Sequence, residues 1–108
     1  MSTGRTPEHV KPGDLAPAGT GTRSVRRYEV GIMGAWEHDL TGDPVFVANG
    51  PMPTVVEFWA EHDSSAPSSL RVFQVFGTGH PIPNGAVWAG TCPRTDLGLV
   101  WHLYELKD

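Results

Sequence analysis

The chain has 108 residues, a net charge of −4 at neutral pH, thirteen glycines, ten prolines and one cysteine. This length suits one domain, and the glycine and proline content favours many turns over long helices. No apolar run approaches the roughly 18 residues of a membrane span, and the polar N-terminus is unlike a signal peptide, so we expect no membrane partner. The single cysteine excludes an internal disulfide and fits a reducing cytoplasm.

Residues 1–23 are predicted to form a flexible, basic arm, and residues 24–108 the folded domain. The segment up to Thr22 contains three prolines and four glycines, and Val10 and Leu15 are almost its only hydrophobic residues. Such a segment buries too little apolar area to offset its chain entropy. The alternative is an arm that a partner orders, with Val10 and Leu15 as anchors.

The charge is unevenly divided along the chain. Residues 1–27 hold five bases and two acids, a net charge of +3, whereas residues 28–108 hold three bases and ten acids, a net charge of −7. An acidic body repels phosphate backbones, so nucleic-acid binding by the folded part is not expected. The basic segment either contacts a nucleic acid or an acidic protein, is solvated, or lies on its own acidic domain.

Four strands are predicted in the first half of the domain, over residues 25–30, 35–40, 45–47 and 54–62. Alternating apolar residues indicate each of them, with Tyr28 and Val30 sharing one face of the first. Between the third and fourth strands, Asn49-Gly50 with two nearby prolines predicts a tight reversal with a positive φ angle.

Three more strands are predicted over residues 70–76, 86–91 and 99–106. The strand at 70–76 is apolar on both faces, as a central strand needs, and its apparent partner is the segment 98–105. Asn84-Gly85 marks a second turn. Seven short strands without helical periodicity predict an all-β fold, either an antiparallel β-sandwich or a small barrel.

The sequence Gly77-Thr78-Gly79-His80 follows the central strand and superficially suggests a phosphate cradle. A true cradle opens a helix or carries a lysine, but here prolines follow instead. We therefore expect the glycines to form a tight strand exit, with Thr78 or His80 bonding the loop backbone. The alternative is a binding role for Thr78, Gly79 and His80.

The histidines and the cysteine do not indicate catalysis or metal binding. Among His38, His62, His80 and His102 no pair has the two-residue strand spacing of metal ligands, and Cys92 has no base closer than Arg94 to lower its pKa. His102 is expected to be a half-buried sheet residue bonded to a neighbour. We expect no catalytic residue, no metal and no cofactor.

Four tryptophans exceed the obvious needs of a small core. Tryptophan is enriched at protein interfaces, so one or two of them are expected on a binding surface. Trp59, Trp88 and Trp101 are the candidates.

Three segments resemble a known family: Phe73 to Ile82 (FQVFGTGHPI), Trp88 to Thr91 (WAGT) and Val100 to Glu105 (VWHLYE). The family consists of small proteins of unknown function encoded by phages and prophages, and the likeness covers about residues 26–106. It implies a viral or prophage origin and a compact β fold, but no activity. The long N-terminal arm departs from the family pattern.

We therefore expect a phage-derived, non-enzymatic domain that binds a protein in the host cytoplasm and inhibits or modulates a host factor or defence system. One alternative is a virion accessory or head-decoration protein whose arm binds the capsid. Another is a small-ligand protein that binds a nucleotide at the Gly77–Pro83 loop. Each of these readings allows a homo-oligomer.

Overall fold

The computed structural model describes residues 21–107, so residues 1–20 of the predicted arm, with Val10 and Leu15, lie outside the described residues. The described part contains seven strands and no helix: β1 (Arg23–Gly31), β2 (Ala35–Leu40), β3 (Pro44–Asn49), β4 (Val55–Asp63), β5 (Ser69–Gly77), β6 (Val87–Thr91) and β7 (Trp101–Leu106). Each strand begins and ends within two residues of the prediction.

The strands form two sheets that pack face to face. One sheet has three strands in the order β1-β4-β3, and the other has four in the order β2-β5-β7-β6. Every neighbouring pair is antiparallel. The prediction of an all-β antiparallel fold is therefore confirmed, and its architecture is a sandwich.

The core lies between the inner faces of the two sheets. Alternation along each strand sends every second side chain inward, as in other sandwiches. The buried cluster consists of Val30, Leu40, Val47, Val56, Phe58, Ala60, Phe73, Val75, Cys92 and Leu103. At its centre, the rings of Phe58 and Phe73 meet across the sheets with centroids 4.9 Å apart.

The connection from β5 to β6 returns across the outer face of the four-stranded sheet. Both strands are antiparallel to β7, which lies between them, so they run parallel to each other. The chain leaves β5 where Gly77 pairs with Trp101 and enters β6 where Val87 pairs with Glu105. The core occupies the inner face, so residues 78–86 must pass over the outer face of β7.

This crossover explains why Phe76 is buried although it points away from the core. Phe76 is only 7% exposed. Its ring meets that of Tyr104 edge-to-face, with centroids 5.7 Å apart, on the outer face of the sheet. The second apolar face of β5, visible in the sequence, thus belongs to a small outer cluster.

The Gly77-Thr78-Gly79-His80 segment is a tight turn that begins the crossover. The His80 N–H donates to the Gly77 carbonyl at 3.0 Å, and the Gly77 N–H donates to His80 Nδ1 at 3.3 Å. Gly79 adopts a φ of +91°, which favours glycine. The expectation that this segment is a tight strand exit with His80 bonding its backbone is confirmed.

Asn49-Gly50 does not adopt the positive φ predicted for it, and Asn84-Gly85 does not adopt one either. In the described chain positive φ occurs only at Gly34, Gly79 and Gly98. At Gly50 glycine is needed for space instead, because a Cβ there would lie 2.8 Å from the Val55 carbonyl oxygen. At Gly85 it would lie 2.9 Å from the Lys107 carbonyl oxygen.

Three bases of the N-terminal segment belong to the fold, because β1 carries Arg23, Arg26 and Arg27. Arg27 Nη1 lies 2.6 Å from a Glu57 oxygen, and Arg23 Nη1 lies 3.0 Å from a Glu61 oxygen. These bases thus lie on the acidic domain, which was one of the open alternatives. Residues 21–107 hold six bases and nine acids, so their net charge is −3.

Candidate functional site

An apolar cleft of about 450 Å³ opens at one end of the sandwich. It lies between the turn that joins β3 to β4 and the loop that joins β6 to β7. Its lining residues are Asn49, Gly50, Pro51, Met52, Pro53, Val55, Arg94, Thr95, Asp96, Leu97, Leu99 and Trp101. Its volume falls within the range usual for ligand pockets, roughly 300–1,000 Å³.

The wall contributed by the β6–β7 loop is held by hydrogen bonds around Thr95. The Thr95 N–H donates to the Leu99 carbonyl at 2.8 Å, and the Gly98 N–H donates to the Thr95 carbonyl at 2.9 Å. The Thr95 hydroxyl also accepts from the Leu99 N–H at 3.0 Å. Leu97 therefore lies at the tip of an ordered turn, where it is 77% exposed.

The opposite wall is the proline-flanked turn between β3 and β4. The Gly50 N–H donates to the Val55 carbonyl at 2.9 Å, and the Val55 N–H donates to the Met52 carbonyl at 3.2 Å. Pro51 and Pro53 restrict φ on either side of Met52, which is 56% exposed. This wall is also ordered by its own backbone.

One side-chain hydrogen bond ties the two walls together. The Asn49 amide nitrogen at the end of β3 donates to the Pro93 carbonyl at the start of the β6–β7 loop, over 2.9 Å. The two turns lie 44 residues apart in sequence, so this bond fixes their separation directly. A cleft with walls held in this way loses little conformational entropy on binding.

Large apolar side chains that are exposed to solvent cluster around the cleft. Met52, Leu97 and Leu99 are all exposed around it, and the half-buried Trp101 also lines it. Clustered exposed apolar groups mark interaction sites, whereas isolated ones are ordinary. The cleft is thus suited to an apolar side chain of a partner.

Two charged residues, Arg94 and Asp96, line this otherwise uncharged cleft. Within residues 21–107 neither makes an ion pair. The cleft therefore presents one charge of each sign beside its apolar surface.

Of the residues predicted from sequence to bind, Trp101 lines the cleft, and the Gly77 turn lies behind it. A Cβ on Gly77 would lie 3.2 Å from the Trp101 ring and 3.0 Å from His80 Cε1. The glycine therefore lets the ring and the turn pack closely. Gly79 and His80 are exposed in this turn but do not line the cleft.

A chain of hydrogen bonds connects Thr78 to Trp88 on the outer face of the four-stranded sheet. Thr78 Oγ1 lies 2.9 Å from His102 Nε2, and His102 Nδ1 lies 2.9 Å from Thr91 Oγ1. The Trp88 indole N–H donates to the same Thr91 oxygen over 3.0 Å. His102 is half-buried and bonded to neighbours, as predicted.

Trp59 lies on the other side of the molecule, on the outer face of the three-stranded sheet. Its ring centroid is 5.4 Å from that of Phe46, which is 60% exposed. The predicted binding residues therefore lie on three surfaces: the cleft end, the outer face with Trp88, and the opposite outer face with Trp59.

A smaller cleft of about 270 Å³ contains the most buried ion pair among the described residues. Arg71 holds Glu105 through two hydrogen bonds, Nε to Oε2 at 2.8 Å and Nη2 to Oε1 at 2.7 Å. Its remaining donors reach Asp43 and the Gly42 carbonyl. The bonds from Arg71 lower the pKa of Glu105. Because Glu105, Asp43 and the Gly42 carbonyl all accept from Arg71, its guanidinium has few free donors left.

Two features of the described residues bear on thiol and metal chemistry. Burial raises the pKa of the Cys92 thiol to about 11, so it stays protonated at neutral pH. No group of three or more histidine, cysteine, aspartate or glutamate residues between 21 and 107 is placed to hold a metal ion.

Residues 22–108 match a protein family described as a domain of unknown function, DUF7352. The chain belongs to this family. The DUF7352 match includes all seven strands and both walls of the cleft, so the cleft lies within the family's domain. Searches of curated proteins and of solved structures each find no match. No helix within residues 21–107 is long and apolar enough to cross a membrane.

Residue type and strand pattern alone do not identify Met52, Leu97 or Leu99 as binding residues. A signal was present, because these large apolar residues occur within turn segments, beside Pro51 and Pro53 or around Gly98. An apolar side chain in a turn has no strand face to bury it. What the sequence did not reveal is that two turns so far apart meet at one end of the sandwich.

Proposed function

We propose that this chain is a phage- or prophage-encoded, non-enzymatic domain that binds a host protein and inhibits or modulates it. The apolar cleft at the end of the sandwich is the binding site. The partner inserts a large apolar side chain against Trp101, between Met52 and Leu97. The phage origin is supported by the sequence resemblance around Phe73–Ile82 and Val100–Glu105.

One observation carries the proposal: three large apolar side chains are exposed on two ordered turns around a single cleft. Exposed leucine and methionine at ordered positions cost solvation free energy in the free protein. A partner that covers them recovers this free energy without having to order the turns.

Net charge contributes less to this proposal than the sequence alone suggested. The −7 of residues 28–108 becomes −3 over residues 21–107, because the three arginines of β1 lie on the same body and Asp108 lies outside the described residues. A modest negative charge favours a basic partner in the encounter but does not make the domain a nucleic-acid mimic. Specificity therefore comes from the cleft.

The test is affinity capture from host lysate with the intact chain, compared with two single variants. Leu97→Asp places a charge at the tip of the cleft wall. Met33→Asp places the same charge at a side chain that is 82% exposed and does not line the cleft. Binding of the purified captured protein is then measured by calorimetry for all three forms.

We expect a host protein that binds the wild type and Met33→Asp equally and binds Leu97→Asp at least tenfold more weakly, a loss of about 1.4 kcal/mol. Equal binding to both variants contradicts the assignment of the cleft. The absence of any host partner, together with high copy number in purified particles by mass spectrometry, supports the virion alternative instead.

A further inference from the structure

The four free strand edges of the sandwich fall into two contrasting pairs. The order of strands places β1 and β2 at the edges on one side, and β3 and β6 at the edges on the other. β1 carries Arg23, Arg26, Arg27 and Glu29, and β2 carries Glu37 and Asp39. Neither β3 (PVFVAN) nor β6 (VWAGT) contains a charged residue.

Charged side chains on an edge strand protect that strand from pairing with another copy of the chain. In a symmetric contact each strand meets itself, so like charges on that strand oppose one another. The acids of β2 and the excess of arginine on β1 therefore disfavour self-pairing of these edges. The uncharged edges of β3 and β6 lack this protection.

The strands of the uncharged edges also expose more large apolar side chains than those of the charged edges, on which Val25 and Trp36 are exposed. On β3, Val45 is 66% and Phe46 is 60% exposed, and on β6, Val87 is 48% and Trp88 is 60% exposed. The smaller cleft, lined by residues of both strands, lies between the two edges. Of the two, β3 is the less suited to pairing, since it starts at Pro44, which lacks an N–H, and its register shifts between Pro44 and Phe46.

β6 has a register shift of its own between Trp88 and Gly90, but it contains no proline and carries a fixed aromatic anchor. The Trp88 indole donates to Thr91, whose hydroxyl is in turn bonded to His102. An exposed tryptophan that is already held in one orientation loses little side-chain entropy on docking.

We propose that the β6 edge is a self-association surface, on which a second copy of this chain docks with its own β6 edge. Trp88 and Val87 of each copy are covered in the contact. The contact is antiparallel and isologous, and it extends the four-stranded sheet across the two-fold axis. It leaves the cleft at the end of the sandwich open, so a dimer presents two copies of it.

The test is sedimentation equilibrium of the full chain over a hundredfold range of concentration. The variants are Trp88→Lys and Val87→Lys on β6, with Val45→Lys on β3 as the matched control at a similarly exposed valine. Circular dichroism and a thermal melt establish that each variant is folded. Trp88 and Val87 are about half exposed or more, so a lysine at either place costs little core packing.

We expect a reversible monomer–dimer equilibrium for the wild type and for Val45→Lys. The dimer of each β6 variant should have a dissociation constant about thirtyfold higher than that of the wild type, as expected for loss of an anchor residue. A wild type that stays monomeric over the whole range overturns the proposal. Dissociation by Val45→Lys but not by Trp88→Lys also overturns it, because the contact would then use β3.

Discussion

Gly90 of β6 lies directly against the side chain of Val47 of β3, where the edges of the two sheets meet. A Cβ on Gly90 would overlap the Val47 side chain, with only 2.7 Å to its Cβ. Val47 is 7% exposed and belongs to the buried cluster. The absence of a side chain at residue 90 therefore sets how closely β3 and β6 approach.

Gly90→Ala should destabilise the domain by about 1–3 kcal/mol, because the added methyl group overpacks a filled contact. Val47→Ala alone should also destabilise it, through a cavity. The double variant should be more stable than the two separate losses predict, since each change makes room for the other. Urea unfolding of all four forms gives the coupling free energy, and strict additivity would show that the two residues do not compete for space.

Glu105→Gln should cost about 2 kcal/mol of folding free energy. Losing one member of a buried pair costs about 3–5 kcal/mol and an exposed pair contributes about 1 or less; this pair lies between, with side chains 10% and 17% exposed. Urea unfolding at neutral pH measures the change. A change near zero would mean that solvent screens the pair fully.

The ion pair between Arg71 and Glu105 should make the folding stability depend on pH in the acidic range. Arg71 lowers the pKa of Glu105, so the folded protein binds this proton less readily than the unfolded chain. The stabilisation is therefore complete above the ordinary carboxyl pKa, about 4.3, and is lost as the pH falls further. Between pH 5 and pH 3, unfolding curves of the wild type should show a steeper loss of stability than those of Glu105→Gln, and equal slopes would contradict this.

Cys92 should be nearly inert in the folded protein. Burial raises its pKa to about 11, so a disulfide reagent should react slowly below that pH and rapidly after denaturation. Because the folded thiol holds its proton more tightly than the unfolded one, stability should fall as the pH rises from about 8.5 toward 11. Cys92→Ala should lose less stability over this alkaline range than the wild type. A thiol that reacts rapidly with the reagent in the folded protein would contradict the burial of Cys92.

Thr91→Val should loosen Trp88 while leaving the fold intact. Valine has the shape of threonine but neither accepts from the indole nor bonds His102. If a fixed Trp88 anchors the second copy, this variant should weaken dimerisation with little change in melting temperature. Sedimentation measures the first and calorimetry the second; dimerisation as strong as that of the wild type would mean that the bond does not position the anchor.

The strands were predictable because each has a period-2 pattern, as in Leu70–Phe76, and the sandwich follows from seven such strands. The reason for glycine at positions 50 and 85 was not predictable from the Asn-Gly pairs, because it is the close approach of the Val55 and Lys107 carbonyl groups. Nor were the ion pairs of Arg23 with Glu61 and of Arg27 with Glu57, which join residues 38 and 30 positions apart. Local sequence patterns therefore predict the strands, whereas contacts between distant residues determine which side chains share a surface.

The candidate site, too, could be predicted from the sequence only in part. Trp101 was identified from its residue type alone, but the cleft around it is formed by two distant turns, which the bond from Asn49 to the Pro93 carbonyl ties together. Trp59 and Trp88 were identified on the same grounds, yet the sandwich places them on opposite outer faces. Composition therefore found the binding residue types without showing which ones share a surface.

The most direct test of the central claim is a methyl NMR titration of the full chain with its purified host partner. The proposal predicts that the largest shift changes occur at Met52, Leu97 and Leu99, while Met33 and Leu70, which are exposed elsewhere, remain unchanged. Changes confined to Met33 and Leu70, with the cleft methyl groups unaffected, would contradict the claim that this cleft binds the partner.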